Sequence, residues 1–314
     1  MEASGEILVK NKPILGAGVR TGGQPSPLDD PQYCSILQQF NVWYPENCFG
    51  LSAYDPVACD LLLGVAQGRE VRGGNLIWHA YGKDLEAQFS HLARMLTVYP
   101  QIYGWNIANE IFKDDGKLRD NYATTDLILR AYDYARQLSS AKLFYSDYRL
   151  AFRSNRKWEA IYQLCDRLKR EGLIDGVGIQ FHRHLCRVDY FPYPFVEGQI
   201  RGLSELGLEI EFSEVNVWIW QGKSAGCGDR SARLRMQGEY YRKLYQLAER
   251  VGATKLIIWS PSDRYPFCPR NFCPNRTRKP ADEPGLWDAN YQPKPALRVI
   301  REAMNLDVRS PTAL

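Results

Sequence analysis

No apolar run in the sequence approaches the roughly 20 residues that a bilayer-spanning helix needs, so no segment reads as membrane-embedded. The first residues, Met1 to Leu8, carry neither a basic stretch nor an apolar core, so no secretory leader is visible. The expected compartment is the cytoplasm, or a secreted or periplasmic location if a leader has been removed. A net charge of +4 comes without any dense Lys/Arg block, which gives nucleic-acid binding no support. The eight Cys form no CxxC pair, and the four His form no H-E-x-x-H or zinc-finger spacing. Neither a metal nor a cofactor is therefore expected. No Gly/Ser linker, internal repeat or low-complexity segment divides the 314 residues, which read as one domain over 1–314 and as a monomer.

Aromatic residues are plentiful, at 12% with 8 Trp and 19 Tyr. Most such rings belong in a core, but flat rings also suit a sugar cleft, because the C–H face of a pyranose packs on them. Cys268 and Cys273 flank a loop rich in Pro, Asn and Arg and could pair in an oxidising compartment. Asn275-Arg276-Thr277 fits a glycosylation sequon, a pattern common by chance.

The organising signal is alternation of short β-branched or aromatic runs with stretches of helical period. Eight strands are predicted, at 14–19, 41–46, 75–80, 103–109, 142–148, 176–182, 209–217 and 254–261. Helical faces are predicted from Leu85, Phe89, Leu92, Ala93 and Leu96; from Leu127, Leu129, Ala131, Tyr134 and Ala135; from Trp158, Ile161, Leu164 and Leu168; and from Leu234, Tyr241, Leu244, Ala248 and Val251. A last helix follows Pro293. Successive βα units without a linker predict a (β/α)8 TIM barrel. The competing doubly wound sheet wants a Gly-rich turn that Gly16-Ala17-Gly18 does not supply.

In such a barrel the C-terminal strand ends face the active site. Those ends carry Glu46-Asn47, Trp78-His79, Asn109-Glu110, Asp147-Tyr148, Gln180 with His182, Ser213-Glu214, and Trp259 with Asp263. An apolar scaffold thus gathers ionisable groups at one rim. Glu110 and Glu214, on the fourth and seventh predicted strands, stand across a barrel mouth. Glycoside hydrolysis uses such a pair, one carboxyl protonating the departing oxygen and the other attacking the anomeric carbon. Carboxyls about 5–5.5 Å apart would act with retention. Glu209 and Glu211 are as readily explained by ion pairs. His184 reads as a solvated loop residue, and Trp218 and Trp220 fit a cleft or a core equally well.

These stretches resemble glycoside hydrolase family 10, the xylanases. The resemblance runs through Glu46-Asn47, Arg72-Gly73 to Trp78-His79, Trp105 to Asn109-Glu110, Ala141 to Asp147-Tyr148, Ile174 to His182, Ser213-Glu214-Val215 and Asn290 to Pro295. It implies a retaining endo-enzyme acting on a polysaccharide or oligosaccharide, with Glu110 as acid/base and Glu214 as nucleophile. It also implies that Asn109 binds the 2-hydroxyl of the −1 sugar and that His182 orients Glu214. Gln180 and His79 would bind the −1 sugar, Glu46 and Asn47 the −2 sugar, Trp259 would underlie the cleft, and Tyr148 would lie on the leaving-group side. The sequence departs from the family pattern on the glycone side. Phe49-Gly50 stands for Met-Lys, Gly74 for His, Ala80-Tyr81-Gly82 for a stretch with Gln and Trp, Phe267 for Trp, and Asn216 for Asp. Lys83 is the candidate to replace the missing Lys. The departures leave open the same mechanism on another β-glycoside or decorated glycan, and a carbohydrate-binding protein that has lost catalysis.

Overall fold

The strands and helices close into a ring. The computed structural model describes residues 12–23, 25–148, 155–185, 194–219, 228–267 and 283–306. Its strands are β1 (Ile14–Val19), β2 (Val42–Pro45), β3 (Glu70–Gly73), β4 (Ile77–Trp78), β5 (Gly104–Asn109), β6 (Lys142–Tyr148), β7 (Gly176–His184), β8 (Glu209–Trp218) and β9 (Lys255–Ile258). They pair in parallel in the order β3-β2-β1-β9-β8-β7-β6-β5-β4, and β3 also pairs with β5. Because β3 and β4 share one place beside β5, nine strands make a closed eight-position barrel, the (β/α)8 architecture.

The helices are α1 (Pro31–Leu37), α2 (Pro56–Val65), α3 (Leu85–Val98), α4 (Thr125–Leu138), α5 (Asn155–Arg170), α6 (Pro194–Glu205), α7 (Arg230–Val251) and α8 (Pro295–Ala303). Their starts are chemically marked. The Asp30, Asp55, Asp84 and Asp229 carboxylates accept from backbone N–H groups in the first turns of α1, α2, α3 and α7, satisfying donors that lack a helical partner. The strands are buried almost throughout, as a sheet covered by helices on one side and by its own interior on the other must be.

Three sequence expectations are corrected. The third barrel strand is 70–73, and the run predicted at 75–80 contributes only β4 before turning at His79. On α4 the buried face is Ile128, Leu129, Ala131, Tyr132 and Ala135, and Tyr134 is exposed. His184 lies in β7, buried and stacked on Trp218 at 4.8 Å, so it is no solvated loop residue. Trp218 itself is core, whereas Trp220, Cys268, Cys273 and the Asn275 sequon lie outside the described residues. Cys34, Cys48, Cys59 and Cys165 are free thiols. Among the described residues no helix is long and apolar enough to cross a membrane.

Charge inside the barrel collects toward the strand starts. Arg72 Nε donates to Glu211 Oε2 at 3.0 Å, both fully buried, and its guanidinium lies 3.6 Å from the Phe144 ring centroid. Glu209 meets Lys142, Lys255 at 2.7 Å and Thr254 at 2.8 Å. Burial pushes the Glu209 carboxyl up, but these donors outweigh it and hold it at about 2. Glu209 and Glu211 are thus structural ions.

Candidate active site

Glu110 is the first residue past β5, and it takes a left-handed backbone conformation with φ 51°. That region is disfavoured for a residue with a Cβ, and it persists where surroundings over-determine it. Here they do. The Glu110 N–H donates to the Ser146 carbonyl at 2.9 Å, and its own carbonyl accepts from Arg119 Nε at 2.7 Å. Arg119 is fixed in turn by Nη2 donating to the Tyr148 hydroxyl at 2.8 Å. Trp78 Nε1 donates to Glu110 Oε2 at 3.3 Å. Burial, and then the charge of Glu214, raise the Glu110 carboxyl above its ordinary range. Such a group is a proton donor at a pH where an exposed carboxyl is not.

Glu214 is brought to the same mouth by β8, which shifts register against both β7 and β9 just before it. Such bulges re-aim side chains beside functional sites. Oε2 of Glu214 lies 3.1 Å from His182 Nε2. The imidazole stacks on Trp218 at 5.7 Å and Phe267 at 5.6 Å, so its orientation is packed in place. One carboxylate oxygen of Glu214 is therefore engaged.

Between the two carboxyls runs an amide network. Asn109 Oδ1 accepts from Asn106 Nδ2 at 3.2 Å and Gln180 Nε2 at 3.4 Å, so the amide function left to Asn109 is a donor. Asn106 also donates to Asn75 Oδ1, which takes a further bond from the Tyr44 hydroxyl at 3.3 Å. His79 is pushed down to about 4, first by burial and then by Arg119, so it is neutral near pH 7.

Asp147 and Lys157 form a buried pair at 2.7 Å, with Lys157 Nζ also 3.6 Å from the Tyr148 ring centroid. Burial moves Asp147 up to about 6, Lys157 opposes that shift, and the charge of Glu110 adds to it. Asp263 is otherwise employed. It binds Lys294 at 2.9 Å and the Gly285 N–H at 2.6 Å, tying the closing segment to the barrel.

On the other side of the mouth Glu46 is nearly buried against Arg20, and Asn47 is exposed on the rim. Trp259 is buried, edge-on to Tyr44 at 5.2 Å and to Phe267 at 6.1 Å. A Cβ on Gly18 would lie 2.6 Å from the Trp259 carbonyl oxygen, so only glycine lets β1 pass this close. Lys83 is exposed, and the carboxylate that feels its charge is Asp120; the cation on Glu46 is Arg20. Arg20, Arg119 and Lys157 were not singled out in the sequence. Arg20 had a signal, since it follows the first strand end, whereas Arg119 lies between β5 and α4 with no period to mark it, and Lys157, in the first turn of α5, gains its place only through Asp147 on β6. Among the described residues no group of three His, Cys, Asp or Glu is placed to hold a metal ion.

Known proteins share both pattern and fold. The family model described as "Glycosyl hydrolase family 10" matches residues 36–303. Endo-1,4-beta-xylanase B of Thermotoga neapolitana is 30% identical, over 88% of this chain and 84% of that enzyme. Endo-1,4-beta-xylanase A of Thermoanaerobacterium saccharolyticum is 26% identical over 92% of this chain, which spans only 27% of that longer protein. The crystal structure of xylanase 10B from Thermotoga petrophila RKU-1 in complex with xylobiose superposes with a TM-score of 0.80, covering 94% of each chain at 22% identity, a likeness of fold.

Proposed function

The chain belongs to glycosyl hydrolase family 10, and from that premise we propose that it is a retaining endo-β-1,4-glycosidase acting on a xylan-type backbone. Residues 1–314 are read as one catalytic domain. Glu110, protonated, gives its proton to the glycosidic oxygen as the C1–O bond breaks, and the oxygen of Glu214 not held by His182 attacks C1 to form a glycosyl ester. The charge of Glu214 is then gone, which removes one cause of the raised Glu110 pKa. Glu110 can now take a proton from water as that water attacks C1 and frees Glu214. Two inversions give net retention. Asn109 donates to the 2-hydroxyl of the reacting sugar, Gln180 and His79 bind the same ring, Tyr148 lies on the leaving-group side, Glu46 and Asn47 bind the next sugar on the glycone side, and Trp259 underlies the cleft.

The observation that carries this reading is electrostatic. Two buried carboxyls share one mouth, and burial plus the charge of one raises the other. The test is a pair of variants. Glu110→Ala should lose about 10²–10⁴-fold on xylan yet far less on an aryl β-xyloside with an activated leaving group, which needs no proton. Glu214→Ala should stop both. Equal effects on the activated substrate would sink the assignment.

A second reading keeps the mechanism and changes the sugar. It is favoured by the altered glycone wall, where the Tyr81 hydroxyl fills space over Gly50. A panel of aryl β-glycosides ranked by kcat/KM separates the two.

A further inference from the structure

The loop that follows Glu110 is built to return to it. Residues Ile111 to Arg119 form a small antiparallel turn, with Phe112 bridged to Leu118 and the Arg119 N–H donating to the Ile111 carbonyl at 2.9 Å. Its tip is the Asp115-Gly116 pair, where Gly116 takes φ 82° and Asp115 Oδ1 accepts from the Lys117 N–H at 3.1 Å. A Cβ on Gly116 would lie 2.6 Å from the Arg156 carbonyl oxygen, so the tip packs directly on the start of α5. A turn held at both base and tip brings the Arg119 side chain back to the end of β5.

There Arg119 binds the Glu110 backbone. Nε donates to the Glu110 carbonyl at 2.7 Å and Nη2 to the Tyr148 hydroxyl at 2.8 Å. Both bonds belong to one planar fork, so the guanidinium fixes that carbonyl relative to β6, where Tyr148 sits. On its other side the Glu110 N–H is tied to the carbonyl of Ser146, also on β6. Glu110 is thus clamped at both peptide groups while at φ 51°, a conformation that a residue with a Cβ keeps only where its surroundings impose it. The carboxyl itself is fastened less firmly. Its contact with Trp78 Nε1, at 3.3 Å, is long for a hydrogen bond, and Gln180 is a second side-chain partner. Where the carboxyl lies is therefore decided largely by the direction of the Cα–Cβ bond, and the clamp sets that direction.

We propose that Arg119 is a positioning residue for proton transfer, which by holding the Glu110 carbonyl keeps the carboxyl within reach of the glycosidic oxygen. This rests on the reading of Glu110 as acid/base. Without the clamp the backbone can relax toward negative φ, the Cβ swings away, and the proton starts from the wrong place. Glu214 stands on β8 with His182 as its own partner and keeps its position. The defect then falls on the steps in which Glu110 moves a proton, and its size follows how much the leaving group needs one.

The test is a series of aryl β-xylosides whose phenols span a wide range of acidity. Arg119→Met should lower kcat/KM about tenfold or more for the poorest leaving group, and progressively less as the phenol becomes more acidic. The plot of log kcat/KM against phenol pKa therefore steepens. Arg119→Lys keeps the charge but not the fork, so it should recover only part of the loss. It also carries the comparison if Arg119→Met fails to fold. Azide gives a second readout, because it needs no base to attack C1 of the glycosyl ester. It should raise the kcat of Arg119→Met on the most activated xyloside, where breakdown of the ester limits turnover, and release a β-xylosyl azide. A loss equal across the series, which a purely structural role would give, overturns the proposal. So does a loss below about twofold, full recovery by lysine, or a variant that azide does not accelerate. Glu110→Ala measured in parallel separates two failures. If it steepens the plot and responds to azide while the Arg119 variants do neither, this proposal fails alone. If Glu110→Ala does neither, the reading of Glu110 fails with it.

Discussion

The hydroxyl of Tyr81 occupies the space in which a side chain at position 50 would begin. A Cβ on Gly50 would overlap it, and the hydroxyl is held there by donating to the Asn75 carbonyl at 2.9 Å. The backbone at Gly50 is ordinary extended chain, with φ −83°, so only the tyrosine demands glycine. Two departures from the family pattern are thus one steric arrangement. Gly50→Ala should cost about 1–3 kcal/mol through overpacking, and clearly less in a Tyr81→Phe background. Denaturant titration of the four proteins measures this coupling, and simple additivity would contradict it. Restoring a lysine at 50 without altering Tyr81 should fail for the same reason.

The raised carboxyl of Glu110 has a kinetic signature. Proton donation requires the protonated form, so the alkaline limb of kcat/KM should lie above the ordinary carboxylate range. Glu214→Gln removes the charge that is the second cause of the shift, so Glu110 should titrate lower in that variant. Carboxyl-carbon NMR titration of Glu110 in both proteins checks this. An unchanged or higher value would mean that burial alone sets it.

Lys157 is the cation that makes a buried Asp147 tolerable. Removing one partner of a buried pair costs about 3–5 kcal/mol, because the other charge is stranded. Lys157→Met should show a loss of that order, and Lys157→Met with Asp147→Asn should recover much of it. The sign with pH is also set. Asp147 is raised from 3.8 to about 6, so it opposes folding progressively as pH rises through that interval. Without Lys157 the interval should extend upward, seen as stability that keeps falling at higher pH.

Much of this was legible in the sequence because strand ends and chemistry coincide. Asn109, Gln180 with His182, and Glu214 sit on strands, and Glu110 one residue past one, whose β-branched or aromatic runs betray them. The third strand was not legible, since Glu70-Val71-Arg72-Gly73 carries two charges in four residues while the run through Leu76-Ile77-Trp78 looks like a strand. Arg72 is tolerated only because Glu211, more than a hundred residues away in sequence, is waiting for it inside the barrel. On α4 the choice between Tyr132 and Tyr134, two residues apart, decides which ring is core, and local period cannot make it. The partnerships of Arg119 and Lys157 depend on which strands become neighbours.

Glu209 should govern acid tolerance. Its folded value of about 2 lies below the unfolded 4.5, so its contribution is fully present above 4.5 and is lost as pH falls toward 2. Glu209→Gln should destabilise the protein at pH 7 and matter progressively less toward pH 3. Denaturation midpoints of the two proteins across that range decide it; a gap that widens on acidification would refute the linkage.

Asn216 lies opposite His182 in the β7–β8 register, fully buried, with both amide atoms unpartnered. Nδ1 of His182 is unpartnered too, while its Nε2 faces Glu214. The imidazole is held by stacking on Trp218 and Phe267 and by Glu214, and among the described residues nothing hydrogen-bonds its Nδ1. Asn216→Asp keeps the shape and adds a charge at a fully buried position whose side-chain atoms have no hydrogen-bond partner. A buried charge is costly unless it is paired, so the variant should lose about 3–5 kcal/mol, whereas Asn216→Val, which leaves no polar group to satisfy, should cost less or stabilise. Denaturation midpoints of the wild type and both variants at pH 7 measure this, and an Asn216→Asp protein as stable as the wild type would show that the carboxylate finds a donor there.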